Sequence, residues 1–205
     1  MANVTHASLT GANLHEPKGV SGATAGTVYV ADGGGSGSWT TLGASSISSV
    51  VNPWGAAMSY YRDEKSASVD GGSFTSGSWV TRTLNTEVYD ENSLTLSSNR
   101  ISLGSGDWIV QARAPAYGVE DHQVRLYNYS DSTVIAVGTS MHTAAISAST
   151  FVENDSWVFA KFTLASTKSI ELQHRCATTR ASNGLGNGNT WGTNVYAELW
   201  IWKTA

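Results

Sequence analysis

From Met58 onward the chain alternates apolar and polar positions in short runs, the period of two that sends successive strand side chains to opposite faces. The runs are rich in Val, Ile, Thr, Tyr, Phe and Trp, are separated by Gly, Asn, Asp and Ser, and nowhere show helical spacing. This pattern predicts strands at 58–62, 79–84, 94–96, 100–103, 107–114, 121–129, 133–139, 157–164, 169–176 and 195–202. Long loops fall at 63–78, 140–156 and 177–194. Segments 121–129 and 133–139, joined around Ser130-Asp131-Ser132, predict one hairpin, and 157–164 with 169–176, joined across 165–168, predict a second. An all-β jelly-roll sandwich follows as the fold class.

Some strands are apolar on both faces. In the last one, Val195, Ala197, Leu199 and Ile201 form one side and Tyr196, Trp200 and Trp202 the other, with Glu198 the single charge between them. In 157–164, Val158, Ala160, Phe162 and Leu164 oppose Trp157 and Phe159. By contrast, 169–176 sets Ile170, Leu172 and Cys176 against Glu171, Gln173 and Arg175. A sandwich covers only one face of each sheet, so the second aromatic face asks for another layer. The most economical layer is another copy of the chain, and Trp157, Phe159, Tyr196, Trp200 and Trp202 are the predicted walls between subunits.

The first 57 residues are different. They hold ten glycines and only Glu16, Lys18 and Asp32 as charges, too little apolar patterning for a core of their own. The glycines keep no collagen period and no apolar heptad appears. Residues 1–57 are therefore expected to be an extended anchor or stem segment, which fully stretched would reach about 190 Å at about 3.3 Å per residue. Within it, 27–31 and 39–42 read as short strands around the glycine cluster at 33–37. Residues 58–205 are expected to form the knob domain.

Composition narrows the function. The net charge is −4 with no run of Lys or Arg, which argues against nucleic acid as a partner. No stretch approaches the ~20 apolar residues of a membrane span, and the N-terminus lacks the pattern of a signal peptide. The expectation is a chain made in the cytosol without membrane insertion. Cys176 is the single cysteine, expected to be a small buried hydrophobe inside a strand.

The run Asp70-Gly71-Gly72-Ser73-Phe74-Thr75-Ser76-Gly77-Ser78-Trp79-Val80-Thr81-Arg82-Thr83-Leu84-Asn85-Thr86, with 122–128, 170–176 and the closing Glu198-Leu199-Trp200-Ile201-Trp202-Lys203, resembles C-terminal domains of bacteriophage fibre and related prophage proteins. The strand plan looks like the trimeric jelly roll of the C1q and tumour necrosis factor type. Residues 9–20 and 26–33 are similar to segments that precede such knobs in phage structural proteins. The resemblance implies a homotrimeric virion protein whose N-terminal part, with Leu14, His15, Pro17, Tyr29 and Trp39, anchors it to capsid or tail proteins. The short chain, without a long shaft, favours a head fibre, capsid decoration or fibre tip over a long tail fibre. The alternatives are a carbohydrate- or receptor-binding module of a tail fibre and, further off, a glycan-degrading depolymerase.

Candidate chemistry is sparse. None of the five histidines has a second ligand at metal spacing, and no cofactor is called for. Asp63-Glu64, Asp90-Glu91 and Glu120-Asp121 supply the carboxylate pairs a glycosidase needs, but exposed turn carboxylates are the ordinary outcome at strand ends. Calcium at a trimer axis would fall to Asp90 and Glu91, though no EF-hand-like oxygen spacing supports it. Arg82, Arg125 and Arg175 sit mid-strand and are expected to pair with Glu171, Glu198 or a neighbouring chain. Loop 182–191 combines short amides with an aromatic ring, so Asn187, Asn189 and Trp191, with Tyr117, are the candidate recognition residues for a host-surface glycan. The competing reading of that loop is a flexible crossover whose Trp191 packs on the knob.

Overall fold

The computed structural model describes residues 22–34, 37–41, 57–144 and 151–204. The chain divides into two units, Met1–Val50 and Val51–Ala205. In the first unit β1 (Thr27–Ala31) and β2 (Gly37–Thr41) form an antiparallel hairpin in which Tyr29 lies opposite Trp39, their rings edge to face at 5.6 Å. Leu14, His15 and Pro17 lie outside the described residues.

The second unit is a two-layer sandwich of β3 (Met58–Lys65), β4 (Val80–Thr81), β5 (Thr86–Asp90), β6 (Thr95–Ser97), β7 (Arg100–Leu103), β8 (Gly106–Tyr117), β9 (Glu120–Asn128), β10 (Thr133–Val137), β11 (Met141–Thr143), β12 (Glu153–Leu164), β13 (Lys168–Cys176) and β14 (Asn194–Lys203). One sheet runs β12-β8-β14-β3-β5. The other runs β10-β9-β13-β7-β6, with β11 added to β9 and β4 to β13. The antiparallel pairs β3·β14, β7·β13, β8·β12 and β9·β10 nest one inside the next around the turn between β9 and β10. Nested pairing of that kind is a long hairpin rolled into two sheets, which is a jelly roll.

The alternation read from the sequence sets the core. Trp108, Val110, Ala112, Val158, Ala160, Leu199 and Ile201 of one sheet meet Ile101, Leu103, Val124, Leu126, Ile170 and Leu172 of the other. Cys176 is buried as expected, and burial pushes its thiol up to about 11. The predicted hairpin of 157–164 with 169–176 is not formed. β12 pairs with β8 and β13 with β9, β7 and β4, so the 165–167 turn carries the chain from one sheet to the other. β5 and β11 were missed because they are short edge strands held mainly by their neighbours' hydrogen bonds, without strong alternation of their own.

Strands β3, β8 and β12 run past their predicted ends because one end of the interior is polar. Asp63 and Arg82 are fully buried there, and Arg82 donates to the carbonyl oxygens of Pro115 (3.3 Å) and Leu185 (2.9 Å). His122 and His174 share a 2.9 Å ring-nitrogen hydrogen bond, and His122 also meets Asn154 Oδ1 at 2.7 Å. Asp63 and Asn154, which fall in predicted loops, are thus strand residues of this polar end, whereas Arg82, predicted mid-strand, lies just past β4. The Arg82 Nε and His174 Nδ1 atoms are buried there without a hydrogen-bond partner among the described residues.

Candidate assembly face and recognition surface

The outer face of the five-stranded sheet is built from residues that strand register brings opposite one another. Phe159, Gln111, Trp200, Tyr60 and Tyr89 form one continuous row across β12, β8, β14, β3 and β5. The flanking row is Lys161, Ile109, Trp202 and Met58 on one side and Trp157, Arg113, Glu198 and Arg62 on the other. Trp200 is the centre of the face, its ring parallel within 3° to those of Tyr60 (5.2 Å between centroids) and Trp157 (6.2 Å). Offset parallel rings at these spacings attract beyond their area alone.

Glu198, the lone charge of the last strand, is neutralised within the chain. Arg113 and the Tyr60 hydroxyl both donate to it, and Arg113 also holds Asp155 through two 3.0 Å bonds. Burial together with the Glu198 hydrogen bond raises the Tyr60 phenol above its ordinary value. The charged row therefore exposes few unsatisfied groups, and the aromatic row beside it is left open. Phe159 is 64% exposed, and Trp157 and Tyr89 are exposed as well. Beside Phe159, a groove of about 460 Å³ is lined by Gln111, Trp157 and Val137–Thr139.

Two of the five predicted wall residues differ from the rest. Tyr196 is 2% exposed and covered by its own chain: its hydroxyl donates to Val69 O at 2.6 Å, and Gly186 lies so close that a Cβ there would stand 2.2 Å from the ring. Burial pushes that phenol up to about 12. The β14 register shift between Val195 and Glu198 separates Tyr196 from the open face. Trp202 is on the face but only 6% exposed. Trp157, Phe159 and Trp200 are the wall residues left most accessible.

The 177–194 connection is tied down rather than loose. Its backbone bonds to the 66–77 loop through Ser68–Asn189, Gly71–Gly186 and Phe74–Arg180, and Asn194 Nδ2 donates to Ser66 O at 3.0 Å. The side chains of Asn187 and Asn189 are engaged within the loop: Asn187 Oδ1 accepts from Asn183 Nδ2 and Asn189 Oδ1 from Trp191 N, while Asn187 N donates to Glu153 Oε2 of β12. Trp191 is 92% exposed and does not pack on the knob, correcting that reading. The Tyr117 and Phe151 rings meet edge to face at 5.6 Å, with the Arg180 guanidinium over both.

The carboxylate pairs resolve differently from a two-carboxylate site. Asp63 is buried while its neighbour Glu64 faces Arg62 on the outside, so the two cannot flank one bond. Asp90 accepts from Ser59, Asn92 N and Leu94 N, Glu91 from Met58 N and the Tyr89 hydroxyl, and Glu120 from Thr178. Among the described residues, no three His, Cys, Asp or Glu side chains gather as a metal site. Within the chain, the pairings of Arg82, Arg125 and Arg175 with Glu171 or Glu198 are not formed. Glu171 is taken by Arg100 and Glu198 by Arg113, while Arg125 donates to Gln173 and lies over the Trp79 and Tyr127 rings.

The chain matches no protein-family model and no curated protein. Among solved structures it is similar to the globular domain of zebrafish complement 1qA protein, at 12% identity and TM-score 0.40, covering 73% of this chain and 98% of that one. It is also similar to murine APRIL at pH 5.0 (9%, TM-score 0.46, 72% and 98% covered) and at pH 8.0 (10%, TM-score 0.44, 71% and 98% covered). The jelly roll itself is read from the nested strand pairing.

Proposed function

We propose that this chain is a non-enzymatic structural protein of a bacteriophage particle: a homotrimeric jelly-roll head whose N-terminal residues attach to capsid or tail, displayed toward the host surface. The observation that carries the assembly part is the open aromatic row of Phe159, Trp200, Tyr60 and Tyr89, which a lone soluble domain would leave in water. Its two ends are different patches on different edge strands, Phe159 with Val137 near β12 and Val88 with Tyr89 on β5. Joining unlike patches head to tail gives rings, and a three-membered ring closes without leaving either patch open. The phage setting is supported by the sequence resemblance of residues 70–86, 122–128, 170–176 and 198–203 to fibre-protein heads.

Sedimentation equilibrium of the full chain at micromolar concentration tests the assembly, with a trimer expected and a monomer overturning it. Immunogold labelling of purified phage particles tests the setting. Label on capsid or tail is expected, and bare particles beside abundant free protein would refute it.

A further inference from the structure

The outer face of the seven-stranded sheet carries a second feature, a concave pocket of about 640 Å³ lined by Gly77, Trp79, Asp121–Gln123, Ser140–Met141 and Arg175–Ala177. Register explains how residues so far apart in sequence meet. Gln123 lies opposite Arg175, Met141 opposite His122, and Val80 opposite His174, so Trp79, one residue before β4, and Ser140, one residue before β11 and bonded to Gln123, flank the Arg175–Gln123 pair of β13 and β9. The volume is within the range of small-molecule sites.

The chemistry of the lining is specific. Arg125 lies over the Trp79 ring at 4.2 Å and is itself fixed by Gln173 at 2.7 Å, so the indole is oriented before any ligand arrives. Arg100 and Arg125 on the same face are engaged, whereas Arg175 is exposed and makes no hydrogen bond or ion pair among the described residues. Gln123 spends its amide N–H groups on Gly138 O and Ser140 Oγ, leaving its Oε1 to accept. Asp121 receives His142 on one oxygen and keeps the other.

We propose that this pocket binds an acidic saccharide. The C–H face of a sugar ring stacks on Trp79, hydroxyl groups donate to Gln123 Oε1 and Asp121, and a carboxylate takes the free Arg175 fork in a bidentate, charge-assisted pair. An acidic peptide satisfies Arg175 but brings no array of hydroxyl donors to the two waiting acceptors. The proposal deepens the host-contact part of the proposed function and assigns its ligand class. It uses the opposite sheet from the assembly face, so either can fail alone.

The test is a titration of the full chain, followed by the Trp79 indole N–H resonance and by calorimetry, with oligogalacturonate, a glucuronate oligosaccharide, sialyllactose, methyl-esterified oligogalacturonate and a polyglutamate peptide. Saturable binding of at least one acidic saccharide is expected, weakened about tenfold to a hundredfold by Arg175→Gln and by masking the carboxylate. Arg175 is exposed, so this variant keeps the thermal stability of the wild type, which checks that the loss is not unfolding. The proposal is overturned if no acidic saccharide moves the Trp79 signal, if Arg175→Gln or the methyl ester binds equally well, or if polyglutamate matches the best saccharide. Sedimentation of the same samples separates the two readings: a monomer that binds saccharide overturns the assembly alone, and a trimer that binds none overturns the pocket alone.

Discussion

Replacing Phe159 with Asp isolates the assembly face from the fold. Phe159 is 64% exposed in the single chain, at the β12 end of the aromatic row, so its side chain does little for the monomer. An aromatic residue buries about 150–250 Å² when fully covered, so covering the exposed part of this ring removes roughly 130 Å² from water. At about 25 cal/mol per Å² that contributes ~3 kcal/mol to each subunit contact, on the order of a hundredfold in the contact's equilibrium constant. A closed three-membered ring repeats the contact three times, and the new carboxylate adds a desolvation cost at each. Sedimentation equilibrium of Phe159→Asp at micromolar concentration should therefore show monomer where the wild type shows trimer. Thermal unfolding of the variant under monomeric conditions should change by no more than about 0.5 kcal/mol. A variant trimer as stable as the wild type would show that the aromatic row is not the contact. Trp202→Asp is a poor substitute, because that ring is 6% exposed and its loss would unfold the chain before reporting on assembly.

Further outcomes concern the polar end of the interior. Arg82→Met should cost about 3–5 kcal/mol in urea unfolding, because it leaves buried Asp63 without its cation and the Pro115 and Leu185 carbonyls without a donor; a loss under about 1 kcal/mol would refute that role. Gly186→Ala should destabilise by about 2–4 kcal/mol, since φ of +134° is unfavourable for a side chain and the added carbon meets the Tyr196 ring; an unchanged melting temperature would mean the loop relaxes freely. Burial, with the Arg82 charge beside them, holds His122 and His174 below the ordinary histidine value, so the unfolded chain takes up protons first as the pH falls. Stability is then complete above about pH 6.5 and declines below it by up to ~1.4 kcal/mol per pH unit per histidine. Asp63 and Glu153, raised by burial, act in the opposite sense and add stability as the pH falls through their raised values. Melting temperatures from pH 7.5 to 5.5 should fall, and a His122→Gln/His174→Gln variant with the same slope would assign the effect elsewhere.

Alternation is a local property of a strand, and so the chain's own pattern determined most of what depends on faces. It located the strands of the sandwich core, put Val110, Val158, Leu199 and Ile201 inward, and singled out Trp157, Phe159 and Trp200 as an outer apolar set. Which strands pair is a property of the whole roll. The 165–167 turn looked like a hairpin because it is short, yet packing of both strands into the core required β12 and β13 to enter different sheets. Tyr196 matched the parity of Trp200, but the register shift in β14 and the close approach of Gly186 placed it under its own chain. Arg175 and Trp79 are 96 positions apart in the sequence, and only the pairing of β4 with β13, which sets Val80 opposite His174, brings the two into one pocket. A sequence fixes which side chains a strand offers to each face; the pairing across sheets decides which of those faces meet water, a partner or a ligand, because hydrogen-bond register and core packing are satisfied jointly and over the full length of the chain.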